Sequence, residues 1–350
     1  MKKLDGQKLA ILNKILKNNK LDGIVISDPA DRQYLVGEIF VSDEAIILFH
    51  KKGVYITSRS LYVPVVRARY PEIEIDACDE NRHLQIIKKA EELKLKKVGF
   101  DLGKESYLAG KTYKENGFVE TPSLIAQARI SKTKGELRRM AAAAQAAYGA
   151  MEHIKSVLEV GMTELEAAME LEKFMKQQGA KSFPFNAIVA FGPNSASPHH
   201  VTGSDKLKKN MVVLMDYGCV INGYSSDITR TFWFGDKEPC EFTKIFNIVK
   251  GAHDEVVKKA RYAMTGAQID NIARKYISKY GYGQYFTHGV GHGVGMENHE
   301  EAYINQQNRT KKILDNYCFS VEPGIYLEGS FGVRYEDCFY MTKKGIKIIK

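Results

Sequence analysis

Four carboxylates that recur in pairs on short strand-like runs, with a histidine-rich loop between the pairs, are the residues of this 350-residue chain best suited to chemistry. The apolar run Met211 to Met215 leads into Asp216 and is followed by Asn222-Gly223, the strongest short hairpin signal. A two-residue turn there pairs Asp216 with Thr229 and sets Asp227 opposite Gly218. Asp216 and Asp227 then share one face as diagonal neighbours, roughly 7–8 Å apart at Cα. Further on, a reversal centred on Gly329 stands Glu322 opposite Glu336, so a second strand pair supplies a second pair of acids. Any one Asp or Glu at a strand end is commonly just solvated. Four converging on one cleft repel strongly, and divalent cations are the usual way such a cluster is stabilised.

Between the pairs lies Thr287-His288-Gly289-Val290-Gly291-His292-Gly293-Val294-Gly295-Met296-Glu297-Asn298-His299-Glu300. Four glycines within eight residues rule out a stable helix, so the spacing of His288 and His292 is not a helical zinc motif. One histidine in such a loop is more often a packing residue than a ligand; three of the nine histidines within twelve residues shift the reading towards a site. His199-His200 is a weaker signal, equally readable as a solvated turn. Two Asp, two Glu and one His form an oxygen-rich ligand set. It suits a pair of hard or borderline ions such as Mn(II), Co(II) or Zn(II), rather than one structural zinc.

The elements that must position these groups repeat. Gly149-Ala150 recurs as Gly251-Ala252, Met162-Thr163 as Met264-Thr265, Lys173 as Lys275 and Gly179 as Gly281, all at an offset of 102 residues. In both copies the threonine has capping-box spacing to Glu166 or Gln268, and the glycine sits where a left-handed helix end is wanted. Two similar halves closing on a shared cleft follow, over residues 135–350. Upstream, an amphipathic helix through Lys20 and the apolar runs at 23–26, 45–49 and 53–56 alternate in the manner of an α/β domain over 1–123. Residues 124–134 read as a linker, running into a helix that Thr133 and Glu136 cap. The expected fold is thus an α/β N-terminal domain plus an α+β catalytic domain with two pseudo-symmetric halves.

Composition narrows the function. A content of 44% hydrophobic and 27% charged residues fits a folded globular chain. Its longest uncharged apolar stretch, Met140 to Met151, falls short of the roughly 18 residues a membrane span needs. Basic residues near Met1 precede no apolar core, so a secretory signal is not expected and the cytoplasm is. Five scattered cysteines without a CxxC pair argue against a disulfide framework and a thiolate zinc site. The net charge of +9 is spread evenly, 22 Lys+Arg against 18 Asp+Glu over 1–130 and 29 against 24 thereafter, which argues against nucleic-acid binding.

This constellation resembles the metallopeptidase family of prolidases, aminopeptidases P and methionine aminopeptidases, with its pita-bread fold; residues 1–123 resemble the N-terminal domain of the prolidase branch. The resemblance implies that Asp216 binds one metal ion, His292 and Glu322 the other, and Asp227 and Glu336 both, with Mn(II) expected first. It implies catalytic roles for His199, for His288 and His299 at the scissile peptide and its oxyanion, for Glu322 as proton shuttle, and for Arg334. His200 departs from the pattern, where glycine is usual. The expected substrates are small peptides with proline second: Xaa-Pro dipeptides, or, alternatively, the longer peptides of an aminopeptidase P. The large N-terminal domain counts against a methionine aminopeptidase, and the complete ligand set against both a metal-free creatinase-like enzyme and a non-catalytic binding protein. A homodimer is expected, with no nucleic-acid or membrane partner.

Overall fold

The computed structural model describes residues 4–40 and 44–350 and divides the chain into two units, 1–129 and 130–350. The first unit is built on a mixed six-stranded sheet. Its strands are β1 (Gly23–Ile26), β2 (Ala45–His50), β3 (Gly53–Ser58), β4 (Glu74–Ala77), β5 (Val98–Asp101) and β6 (Val119–Thr121), in the order β4-β3-β2-β1-β5-β6. Helices α1 (Gly6–Asn18), α2 (Pro29–Val36), α3 (Val63–Arg69), α4 (Arg82–Glu92) and α5 (Tyr107–Glu115) connect them. The first helix stops before the expected Lys20, which adopts a left-handed φ of 53°.

The linker expected over 124–134 is a correction. Its first part is helix α6 (Leu124–Ile130), because Leu124, Ile125 and Ala128 lie at helical spacing and are buried. Buried Arg129 donates to Asp31 Oδ1 at 2.6 Å, which fastens this helix to the first unit. The boundary therefore falls after Arg129 rather than at 123.

The second unit carries the duplication. Helices α7 (Lys134–Val157) and α8 (Glu164–Gln177) correspond to α9 (Cys240–Lys259) and α10 (Gly266–Lys279). Thr163 and Thr265 each close a capping box on their helix, as does Thr133 on α7. The helices end alike, with Gly179 at φ 96° and Gly281 at φ 85°. Packing repeats too: a Cβ on Gly149 would press on the ring of Phe174, and one on Gly251 on the ring of Tyr276, again 102 residues on. The alanine-rich stretch of α7 buries Ala143, Ala146, Ala147 and Ala150, small side chains that let α8 and the strands beneath approach closely.

In the first half, β7 (Ile188–Phe191), β8 (Met211–Tyr217), β9 (Val220–Ile221), β10 (Tyr224–Ser225) and β11 (Ile228–Phe234) follow the helices. Asn222 (φ 52°) and Gly223 (φ 77°) form the left-handed two-residue turn that the sequence requires. The register is the expected one, with Asp216 opposite Thr229. In the second half come β12 (Gly291–Gly293), β13 (Glu300–Ile304), β14 (Cys318–Val321), β15 (Gly324–Leu327), β16 (Phe331–Arg334), β17 (Asp337–Thr342) and β18 (Gly345–Ile348). The pairs Gly324–Arg334 and Val321–Asp337 flank Glu322 and Glu336 in a single register, the reversal centred on Gly329. A short seam joins the halves. Glu336 N donates to Thr229 O at 3.1 Å, Arg334 N to Thr231 Oγ1 at 3.1 Å, and Thr231 Oγ1 to Arg334 O at 2.9 Å. That seam lays one pair of acids against the other.

Candidate metal centre

Asp216, Asp227, His292, Glu322 and Glu336 line one cavity of about 420 Å³ in the second unit, together with His199, His288, His299 and Arg334. All nine residues singled out in the sequence thus meet on one wall system. Asp227, His292 and Glu336 each offer a ligand atom within 4.8 Å of the others. His292 Nε2 lies 3.3 Å from Glu322 Oε1 and 3.6 Å from Asp227 Oδ2. Its Nδ1 sits 3.1 Å from Gly293 O, which only accepts, so the proton belongs on Nδ1 and a bare Nε2 lone pair faces two carboxylates. The flanking glycines are required by close approach: a Cβ on Gly291 would overlap Ser320 O, and one on Gly293 would overlap Glu301 O.

Two of the acids are held on one oxygen and left open on the other. Asp216 Oδ2 accepts from Arg334 NH2 at 2.6 Å, and Glu336 Oε2 from Thr229 Oγ1 at 2.7 Å. Asp216 Oδ1 and Glu336 Oε1 are buried without a hydrogen-bond partner. Glu322 Oε1 accepts from Ser320 Oγ at 3.0 Å. Burial, with repulsion from Asp216 and Glu322, pushes the Asp227 carboxyl well above the usual range. The same causes, with Asp227 foremost among the charges, do so for Glu336. Burial pushes Glu322 up to about 7 even though Arg334 opposes it. Orphaned buried oxygens, an aproned imidazole lone pair and carboxyls that resist ionisation are the marks of a site built around positive charge. The donor set fits divalent cations.

The histidines divide by environment. Burial lowers His292 and takes His288 down to about 3. His299 is exposed at the mouth with its ring 3.8 Å from that of His292; desolvation and His292 bring it down to about 4. All three are neutral at pH 7. His288 is the histidine expected with His299 at the scissile peptide. Its Nδ1 lies 2.7 Å from Gly289 O and its Nε2 2.8 Å from Tyr326 Oη, so neither nitrogen is free to donate to a substrate in this arrangement. His199 is exposed on the cavity lining. His200 is no solvated turn residue: its Nε2 lies 2.7 Å from Glu164 Oε2.

Tyr326 was missed from sequence. Its hydroxyl joins His288 to Arg334 NH1, 2.8 Å away, and it falls on the same alternation as Glu322, four residues before it. Asn298, whose amide hydrogen-bonds Asp227, carries no comparable signal. Also unforeseen are three buried acids that pin the three histidine-bearing loops. Glu164 holds the loop of His199. Asp270 accepts from Val290 N at 3.0 Å and pairs with Arg274, which donates to His288 O at 2.7 Å. Glu300 accepts from Met296 N at 2.9 Å and pairs with buried Lys132 at 2.7 Å.

Duplicated halves that meet at a carboxylate-lined cavity, following a separate α/β unit in the chain, define a pita-bread hydrolase. The chain belongs to metallopeptidase family M24, whose model matches residues 138–343, while the creatinase/prolidase N-terminal domain matches 8–131. It is 34% identical to an Xaa-Pro dipeptidase of Pyrococcus furiosus over 97% of both chains. Among solved structures it is similar to an Xaa-Pro dipeptidase from Bacillus anthracis, with TM-score 0.91 and 33% identity, covering 98% of this chain and 96% of that one. An X-Pro aminopeptidase from Thermotoga maritima gives TM-score 0.88 at 28% identity, over 96% and 97% of the two chains. No helix among the described residues is long and apolar enough to cross a membrane.

Proposed function

We propose that this metallopeptidase hydrolyses the bond before proline in Xaa-Pro dipeptides, as a prolidase, with two divalent ions. The observation that carries the reading is the convergence of four acids and His292 on one cavity with buried oxygens left unpartnered. Asp216, Asp227, His292, Glu322 and Glu336 would hold the ions, with Asp227 and Glu336 shared between them. When bound, such ions polarise a carbonyl and lower the pKa of water from 15.7 to about 7.

The chain's own groups do the rest. Glu322 takes a proton from the attacking water and returns it to the leaving nitrogen. His299, neutral at the mouth, presents a ring N–H to the developing oxyanion. Arg334 holds Asp216 through NH2 and, through Tyr326, fixes His288. His199 contacts the bound peptide from the cavity lining. Manganese as the working ion, a cytoplasmic location and a homodimer complete the reading.

A second reading, cleavage of longer Xaa-Pro peptides, is favoured by one observation. Among the described residues lining the cavity Arg334 is the one Lys or Arg, and it is committed to Thr229, Pro198, Tyr326 and Asp216. It is poorly placed to receive a dipeptide's carboxylate. Comparing kcat/KM for an Xaa-Pro dipeptide and an Xaa-Pro-Xaa tripeptide on Mn(II)-loaded protein decides between the two; strong preference for the tripeptide reverses the choice. Asp227→Asn should abolish turnover of both and halve or eliminate bound metal. Full activity in that variant would overturn the proposal.

A further inference from the structure

Glu164, at the first position of α8, is fully buried, yet it is neither a cavity residue nor paired with Lys or Arg among the described residues. Its carboxylate is filled by one loop. Oε1 accepts from Phe191 N and from Asn194 Nδ2, each at 2.9 Å; Oε2 accepts from Gly203 N at 3.0 Å and faces His200 Nε2 at 2.7 Å. The four donors span residues 191–203, from the last residue of β7 into the segment before β8 that carries His199. Charge-assisted bonds of this kind are the strong ones, and a buried carboxylate holds its donors because losing one leaves a lone pair dry. His200 supplies the donor nearest to His199.

The rest of the loop leaves His199 dependent on that grip. Thr202 Oγ1 ties the end of the loop to Ala187 O at 2.7 Å, and Ser195 Oγ ties its start to Gly332 N at 2.9 Å. Pro198 O accepts from Arg334 NH1 at a long 3.3 Å. His200 N also donates to Ser197 O at 3.2 Å, closing a turn around His199, and the His200 ring anchors that turn to Glu164.

We infer that His200 is a positioning residue for hydrolysis: by binding Glu164 it fixes the loop that presents His199 to the peptide. The inference rests on the reading that His199 touches substrate. An interaction that His199 makes equally in ground and transition states appears in KM, so a loosened loop raises KM and spares kcat.

The test is steady-state kinetics of the full-length, Mn(II)-loaded protein on an Xaa-Pro dipeptide, or on the tripeptide if that is the better substrate, with bound metal measured for each variant. His200→Ala should raise KM about tenfold, equivalent to about 1.4 kcal/mol, with kcat within about twofold and metal content unchanged. His200→Gln, which returns an N–H donor to Glu164, should recover most of the loss. Added to His199→Ala, His200→Ala should cost nothing further, because the two act as one unit. If His200→Ala does not fold, His200→Asn, too short to reach Glu164, takes its place. An unchanged KM, an equal penalty in the His199→Ala background, or loss of metal would overturn the inference. If His199→Ala itself leaves both constants unchanged, the reading of His199 falls and the inference with it; if His199→Ala is impaired and His200→Ala is not, the inference alone falls.

Discussion

Metal affinity should depend steeply on pH, because the ligands of this site hold protons that an ion must displace. Burial and mutual repulsion raise Asp227 and Glu336 well above the carboxylate range and Glu322 to about 7. A carboxyl with a raised folded pKa binds its proton more tightly folded than unfolded. Its burden on the metal-free fold is therefore absent below the unfolded value of 4.5, grows as pH rises, and is complete above about 7. For Glu322 alone that amounts to about 3 kcal/mol, at 1.36 kcal/mol per unit. Burial holds His292 below its ordinary value, so at pH 7 and above it is neutral and releases no proton on binding. One displaced proton strengthens binding tenfold per pH unit below the pKa. Between pH 5.5 and 7 the dissociation constant for Mn(II) should thus fall about 15-fold from Glu322 alone, and further for protons on Asp227 and Glu336. The assay is calorimetric titration of Mn(II) into chelator-stripped protein from pH 5.5 to 8.5, in buffers of different ionisation enthalpy, which counts the protons released. Binding that is flat with pH, with no proton release, would refute the claim that these acids are held protonated by one another.

Two further substitutions probe the supports of the site. Gly291→Ala would drive a Cβ onto the backbone oxygen of Ser320; it should cost about 3 kcal/mol in denaturant unfolding and lower metal content by displacing His292. Lys132→Met should destabilise the protein by about 3 kcal/mol by stripping buried Glu300 of its lysine, and Lys132→Met combined with Glu300→Gln should recover part of that, both read from urea midpoints.

What could be read from the chain was what local rules control. The Asn222-Gly223 turn fixes a register, and alternation then puts Asp216 and Asp227 on one face; the reversal at Gly329 does the same for Glu322 and Glu336. Capping spacing and glycine ends marked the duplicated helices. What could not be read depends on contacts between distant positions. Glu164 and His200 are 36 residues apart, and nothing in either neighbourhood announces the other. The engagement of both His288 nitrogens required knowing that the Tyr326 hydroxyl reaches Nε2. The helix at Leu124–Ile130 was hidden by its shortness and by the proline before it, and burial of its apolar face decided its state.

The seam between Thr229–Thr231 and Arg334–Glu336 makes the site a property of both halves at once. Asp216 and Asp227 come from one, His292, Glu322 and Glu336 from the other, and even the grip of Arg334 on Asp216 crosses the junction. Neither half alone encloses an ion or a substrate. Because one polypeptide tethers them, the effective concentration of each acid pair around the other does not change with dilution of the protein. A single half would have had to assemble with a copy of itself to reach the same arrangement. Two such copies would have been bound by symmetry to offer identical side chains, whereas the fused chain is free to set two aspartates on one side against two glutamates and His292 on the other.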